Sequence, residues 1–257
     1  TILTQSRCQL SCVPVDGLGL LPSDLPPDTD VVFTTPSHQC PTTATMPLAR
    51  RTALLEKAEA EDFVIVEDDY EFEMSFLNAP SPSLKSLDKN GRVIYVGSFS
   101  KSLFPGLRLG YLVGPAPFIR EARALRATVL RHPPGHIQRT VAYYLSLGHY
   151  DALVRRMSKA YHERRQVMDE ALNEHGLMIA GQGTYGGSSV WLRAPDGTDT
   201  TQLAERLKVD KVLIEPGAPF FSGDTPPTEY LRLAYSSIPS SRIPDGIRLI
   251  ANAIRSS

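Results

Sequence analysis

Apolar positions in this chain follow two patterns, short continuous runs and stripes spaced three or four residues apart. The runs at 30–36 (DVVFTTP), 62–68 (DFVIVED), 92–98 (RVIYVGS) and 109–115 (LGYLVGP) read as strands, and 46–61 (MPLARRTALLEKAEAE) reads as a helix between the first two. Near-continuous apolar strands interleaved with helices predict an α/β architecture, with a parallel or mixed sheet covered on both faces.

Beyond residue 115 the helical period dominates. Residues 117–131 and 136–147 read as helices broken at HPPG, where two prolines and a glycine cannot continue the turn. A long helix is expected over 149–174, with Leu153, Met157, Tyr161, Val167, Met168 and Leu172 forming an apolar stripe beneath a charged face. Tyr143, Tyr144 and Tyr150 lie at helical spacings and read as packing residues. After residue 175 the segments shorten to strands at 188–193, 211–214 and 229–235 and helices at 199–208 and 243–255, a small α+β pattern. The expected division is a partial large domain over 1–148, then a bridging helix and a small C-terminal domain over 149–257.

Composition narrows the function classes. With 257 residues and 42% hydrophobic content the chain can bury a substantial core. Lys and Arg number 27 against 28 Asp and Glu, so the whole-chain balance gives no electrostatic reason to bind nucleic acid or an anionic membrane. No apolar run approaches the roughly 20 residues needed to span a bilayer. Cys8, Cys12 and Cys40 are odd in number and lack zinc-site spacing, which fits reduced thiols in a cytoplasm. The first residues, TILTQSRCQL, contain no initiator methionine, and the chain reads as a fragment.

The candidate chemistry gathers around GSFSKSLFPGLRLGY at 97–111. Taken alone, Lys101 in this stretch reads as a solvated lysine in a turn between strands. VEDDYEFEM at 66–74 changes the picture, because a buried-looking strand ends there in adjacent carboxylates and a tyrosine. Such acids by themselves often cap a helix or face solvent. Yet ligands of α/β folds lie at the carboxyl ends of strands, and these residues match what pyridoxal 5′-phosphate requires. Asp68 would keep the pyridine nitrogen protonated, Tyr70 would donate to the phenolic oxygen, and Lys101 would form a Schiff base with the aldehyde. Ser98, Ser100 and Arg108 supply donors and positive charge for the phosphate. To act as a nucleophile Lys101 must spend time unprotonated, which burial beside a cation favours.

These residues resemble the fold-type I, pyridoxal phosphate-dependent aminotransferases, and more closely the aminotransferase-like domain of MocR-type regulators of the GntR family. TTPSHQCPTT (34–43), VEDDYEFEM, GSFSKSLFPGLRLGY, LGHYDALVRRMSKAYHERR (147–165) and EYLRLAYSS (229–237) follow the family's order and approximate spacing. The resemblance implies that Lys101 carries the cofactor, that Asp68 and Tyr70 hold its ring, and that Ser98, Ser100 and Arg108 hold its phosphate. It also implies that Arg232 grips the carboxylate of a substrate or effector, as a planar guanidinium fork is suited to do. His38 after a proline reads as a loop hydrogen-bond partner, and GQGTYGGSSVWL at 181–192 as a loop bordering the ligand pocket.

Two departures from the family bear on activity. Where turning-over aminotransferases carry Asn-Pro-Thr-Gly, this chain has Cys40, Pro41, Thr42 and Thr43. A thiol replaces the asparagine that bonds the cofactor's phenolic oxygen, and Thr43 stands where a positive φ favours glycine. The family's DNA-binding helix-turn-helix and the first part of its aminotransferase domain have no counterpart here. The resemblance therefore implies an effector-sensing, homodimeric domain that recognises a small amino compound, meets DNA only through an N-terminal domain, and has no membrane role. A catalytic aminotransferase acting on an amino acid and a 2-oxo acid is the first alternative, and a cofactor-free dimerisation module is the second.

Overall fold

The computed structural model describes residues 5–76, 81–181 and 186–256. A minimal hairpin of β1 (Val15–Asp16) and β2 (Gly19–Leu20) leads to the first large sheet. There β3 (Val31–Thr34), β4 (Val64–Asp69) and β5 (Val93–Ser98) lie parallel, and β6 (Gly110–Val113) joins β5 antiparallel, in the order β3-β4-β5-β6. The sheet is mixed and mostly parallel, as the interleaved pattern predicts.

Between β3 and β4 runs α1 (Leu48–Ala60), and α2 (Leu84–Leu87) precedes β5. Leu54 and Ala58 of α1 pack with Phe63, Ile65, Leu84, Val93 and Met46 into one apolar cluster. Each of the larger side chains among them contributes about 1.5–3 kcal/mol when fully buried. Helices accompany the sheet as the pattern predicts, but those that follow β6 stay largely exposed. All four residues of β6 are exposed, α3 (Ala116–Val129) buries none of its side chains, and α4 (Gly135–Ser146) buries only Val141. Helical period alone cannot say what an apolar stripe packs against, and Leu125 and Val129 of α3 stay on the surface.

The long helix is α5 (His149–His175), entered through Gly148 at φ 75° and ended by Gly176 at φ 67°, both in the left-handed region that glycine adopts without a Cβ penalty. Met168, Ala171 and Leu172 bury its C-terminal half against a second, antiparallel sheet, together with Tyr161. That sheet has the order β7-β8-β10-β9, from β7 (Met178–Ile179), β8 (Ser189–Arg193), β9 (Glu215–Pro216) and β10 (Tyr230–Ala234). Two further helices complete this region. α6 (Thr200–Val209) starts at Asp199, whose side chain accepts from the N–H groups of Thr201 and Gln202, and α7 (Ile243–Arg255) buries Ile243, Ile247, Ile250 and Ile254. The strand expected over 211–214 does not form. Val212 N–H instead returns to Leu207 O at 3.0 Å, finishing the end of α6, and pairing begins only at Glu215. No helix of the described residues is long and apolar enough to cross a membrane.

Candidate functional site

The carboxyl ends of β4 and β5 lie side by side, with Asp68 opposite Val96 and Asp69 opposite Gly97. Strand alternation turns Ile65, Glu67 and Asp69 into the interior and leaves Asp68 on the open side. Among the described residues Asp68 has no hydrogen-bond or ion-pair partner. Surrounding atoms still crowd its carboxyl enough to raise it above the usual carboxylate range. Two residues on, Tyr70 Oη donates to His38 O at 3.2 Å, and burial pushes its phenol well up, so it acts as a donor.

Lys101 follows β5 by three residues. Its side chain is 51% exposed, and Nζ lies 3.8 Å from Glu71 Oε1. The expectation of a buried lysine beside a cation is therefore corrected. The Lys101 loop projects from the sheet end and meets the carboxylate that immediately follows Tyr70. Ser98 and Ser100 share that loop, with Ser100 N–H donating to Ser98 Oγ at 3.1 Å. Arg108 is exposed, adopts φ 50° after the turn at 105–107, and has no ion pair among the described residues. Gly97 is required by close approach. A Cβ there would lie 2.2 Å from the ring of Tyr111, its register partner on β6.

A loop at 36–46 covers the same strand ends, held from beneath by Arg51. This guanidinium is fully buried and donates to Met46 O at 2.8 Å, Pro36 O at 2.8 Å and Pro82 O at 3.0 Å. No role was assigned to Arg51 from the sequence. The loop places Cys40 Sγ 3.5 Å from Arg232 Nη1, and burial raises its thiol although Arg232 opposes the rise. Thr43 does adopt the left-handed conformation, at φ 61°, which costs a non-glycine residue about 1–2 kcal/mol. Hydrogen bonds hold it there, from Thr43 N–H to Gln39 O and from Thr43 Oγ1 to Thr42 O, both at 2.6 Å. His38 is 2% exposed and pairs with Ser75 Oγ at 3.1 Å, the loop role its position suggested. Burial and the charge of Arg51 push it down to about 4, so it is neutral at physiological pH.

On the inward face of β4, Glu67 accepts from the N–H groups of Leu84 and Lys85 at 2.7 and 2.8 Å and lies 3.8 Å from Arg51. Asp69 is pushed up to about 7 by burial and by the charge of Glu67, while Tyr95 Oη donates to it at 3.3 Å.

Arg232 lies on β10, an inner strand flanked by β8 and β9. Its Nε donates to Glu215 Oε2 at 2.6 Å, and its guanidinium lies 5.3 Å from the Phe220 ring centroid. The fork that the resemblance assigns to a ligand carboxylate thus holds a carboxylate of the chain itself. Of the three tyrosines read as packing, Tyr143 is 52% exposed and accepts from Arg139. Tyr150 instead donates to Glu73 and accepts from the buried Ser102 Oγ beside Lys101. Sequence reasoning assigned no role to Glu71 or Ser188, which meet across 117 positions. Only the third dimension brings them together. Residues 182–185 of the glycine-rich segment lie outside the described residues, but Gly187 and Ser188 border the site.

Residues 21–250 match the family Aminotransferase class I and II. The HTH-type transcriptional regulator TauR of Rhodobacter capsulatus is 60% identical over 254 residues, covering 99% of this chain and 52% of TauR. The probable rhizopine catabolism regulatory protein MocR of Rhizobium meliloti is 35% identical over 174 residues, covering 67% of this chain and 35% of MocR. The kynurenine aminotransferase of Pyrococcus horikoshii superposes with a TM-score of 0.84 at 32% identity, over 95% of this chain and 63% of the enzyme. The chain spans about half the length of TauR.

Proposed function

Because the chain belongs to the aminotransferase class I and II family, whose fold-type I members use pyridoxal 5′-phosphate, we propose that it is the effector-sensing, aminotransferase-like part of a MocR-type transcription regulator. The observation that carries the reading is the pairing of Asp68, a carboxylate with no partner among the described residues, with Lys101 at the neighbouring strand end.

The residues present fit the cofactor. When bound, the cofactor supplies an aldehyde that takes up amines and a ring that draws electrons from them. In this reading Asp68 faces the ring nitrogen, and a cation there would lower its raised carboxyl again. Tyr70 offers its hydroxyl to the phenolic oxygen, Lys101 offers the amine, and Ser98, Ser100 and Arg108 offer donors to the phosphate. Arg232 receives the carboxylate of a small amino compound in exchange for Glu215. Cys40 and Thr43, standing where catalytic relatives carry asparagine and glycine, favour sensing over turnover. Residues 1–148 then form part of a large cofactor-binding domain and 149–257 a bridging helix and small domain. The functional unit is a homodimer, and DNA is met through a helix-turn-helix domain at the N-terminus of the full-length regulator.

The test uses added pyridoxal phosphate. The protein should turn yellow, and borohydride followed by peptide mapping should leave the cofactor's mass on Lys101. Lys101→Ala should stay colourless, and colour in that variant would assign the attachment to another residue. Incubation with an amino acid panel and a 2-oxo acid should change the spectrum without accumulating product. Sustained multiple turnover would establish the catalytic alternative instead.

A further inference from the structure

We infer that Glu71 is a positioning residue that couples the amine of Lys101 to the antiparallel sheet through Ser188. Glu71 is 4% exposed. Its Oε1 accepts from Ser188 Oγ, its Oε2 accepts from Ser188 N–H at 3.2 Å, and Lys101 Nζ approaches the same Oε1 at 3.8 Å. Ser188 immediately precedes β8. Its carbonyl accepts from Tyr235 N–H at 3.0 Å, just beyond β10, and the neighbouring Gly187 N–H donates to Met74 O at 3.0 Å. Tyr235 Oη closes the arrangement on Gly187 O at 2.6 Å. A single carboxylate therefore connects the segment after β4 to the junction of β8 and β10.

A buried carboxylate needs donors and a compensating charge. Ser188 supplies two neutral donors, and the ion pair among the described residues is with Lys101. Anything that draws Nζ away from Glu71 leaves the carboxylate to Ser188 without its counter-charge, and the contact opens more often. Events at Lys101 are thereby felt at the start of β8. The use of this coupling in sensing rests on the proposed role of Lys101 as the cofactor's attachment point, but the coupling itself does not.

The test is hydrogen–deuterium exchange at the Ser188 amide in the cofactor-free protein, comparing wild type, Lys101→Met, Lys101→Arg, Glu71→Gln and the Glu71→Gln/Lys101→Met double variant. Lys101→Met should speed exchange about fivefold, the scale of one partly exposed ion pair. Lys101→Arg, which keeps the charge but cannot form a Schiff base, should restore the wild-type rate. In the Glu71→Gln background, which keeps an acceptor for Ser188, Lys101→Met should change nothing. An unaltered rate in Lys101→Met, or an equal acceleration in both backgrounds, would overturn the coupling. Should Glu71→Gln not fold, the Met and Arg pair at position 101 still decides the matter. Failure here leaves the borohydride result at Lys101 standing, and failure of that labelling leaves this result standing.

Discussion

Arg232 and Glu215 are register partners on β10 and β9, and Arg232 Nε donates to Glu215 Oε2 at 2.6 Å. The arginine proposed to take a ligand carboxylate is thus engaged in advance at Nε, and in that reading a ligand competes with Glu215. The pair is partly exposed, at 25% and 48%, so releasing it costs little, about 0.2–1 kcal/mol. Glu215→Gln should tighten binding of carboxylate-bearing amines to the cofactor-loaded protein by up to about fivefold. Arg232→Ala should weaken it by about 10- to 100-fold, the loss of a charge-assisted hydrogen bond. Spectral titration with amino acids and with amines lacking a carboxylate checks both. The latter ligands should respond to neither change.

Cys40, which the resemblance sets against the asparagine of catalytic aminotransferases, lies beside Tyr70 and Arg232. A raised thiol is a weak donor, whereas an amide N–H is a strong one. Cys40→Asn should therefore tighten pyridoxal phosphate by about 5- to 10-fold, the worth of one added hydrogen bond. Equilibrium dialysis against the cofactor measures it. An unchanged affinity would mean that the phenolic oxygen does not face position 40.

Asp69 and His38 pull the pH dependence of stability in opposite directions. Asp69 keeps its proton in the native state up to about 7, while the unfolded carboxyl loses it near 4, so its contribution falls as pH rises between those values. His38 loses its proton at about 4 in the native state, while the unfolded ring keeps it to near 6.5, so its contribution rises over nearly the same window. Each effect is of the order of 3 kcal/mol across the window. Denaturant midpoints from pH 4 to 8 should climb more steeply with pH in Asp69→Asn than in wild type. In His38→Gln they should slope the other way. Superimposable profiles for Asp69→Asn and wild type would show that Asp69 is ionised throughout.

The strand carrying Asp68 and the one leading into the Lys101 loop were legible because a mostly parallel sheet needs continuous apolar runs, and β4 and β5 lie within two residues of the runs that announce them. Glycine and proline punctuation marked the ends of α4 and α5 for equally local reasons. At 211–214 the same logic failed, since an apolar run can finish a helix as readily as form a strand.

The kinds of residue at the site, their order along the chain and the sheet ends that bear them follow from local rules of backbone conformation and from short motifs, so the amino-acid sequence alone determined them. Contacts between distant segments obey no such period. Arg51 beneath the loop at 36–46, Glu71 against Ser188, Glu215 on Arg232 and the burial that sets Asp69 and His38 apart were decided only by tertiary structure. The physical reason is that charge compensation and desolvation depend on what surrounds a group in space, and two residues more than a hundred positions apart become neighbours only when the sheets have formed.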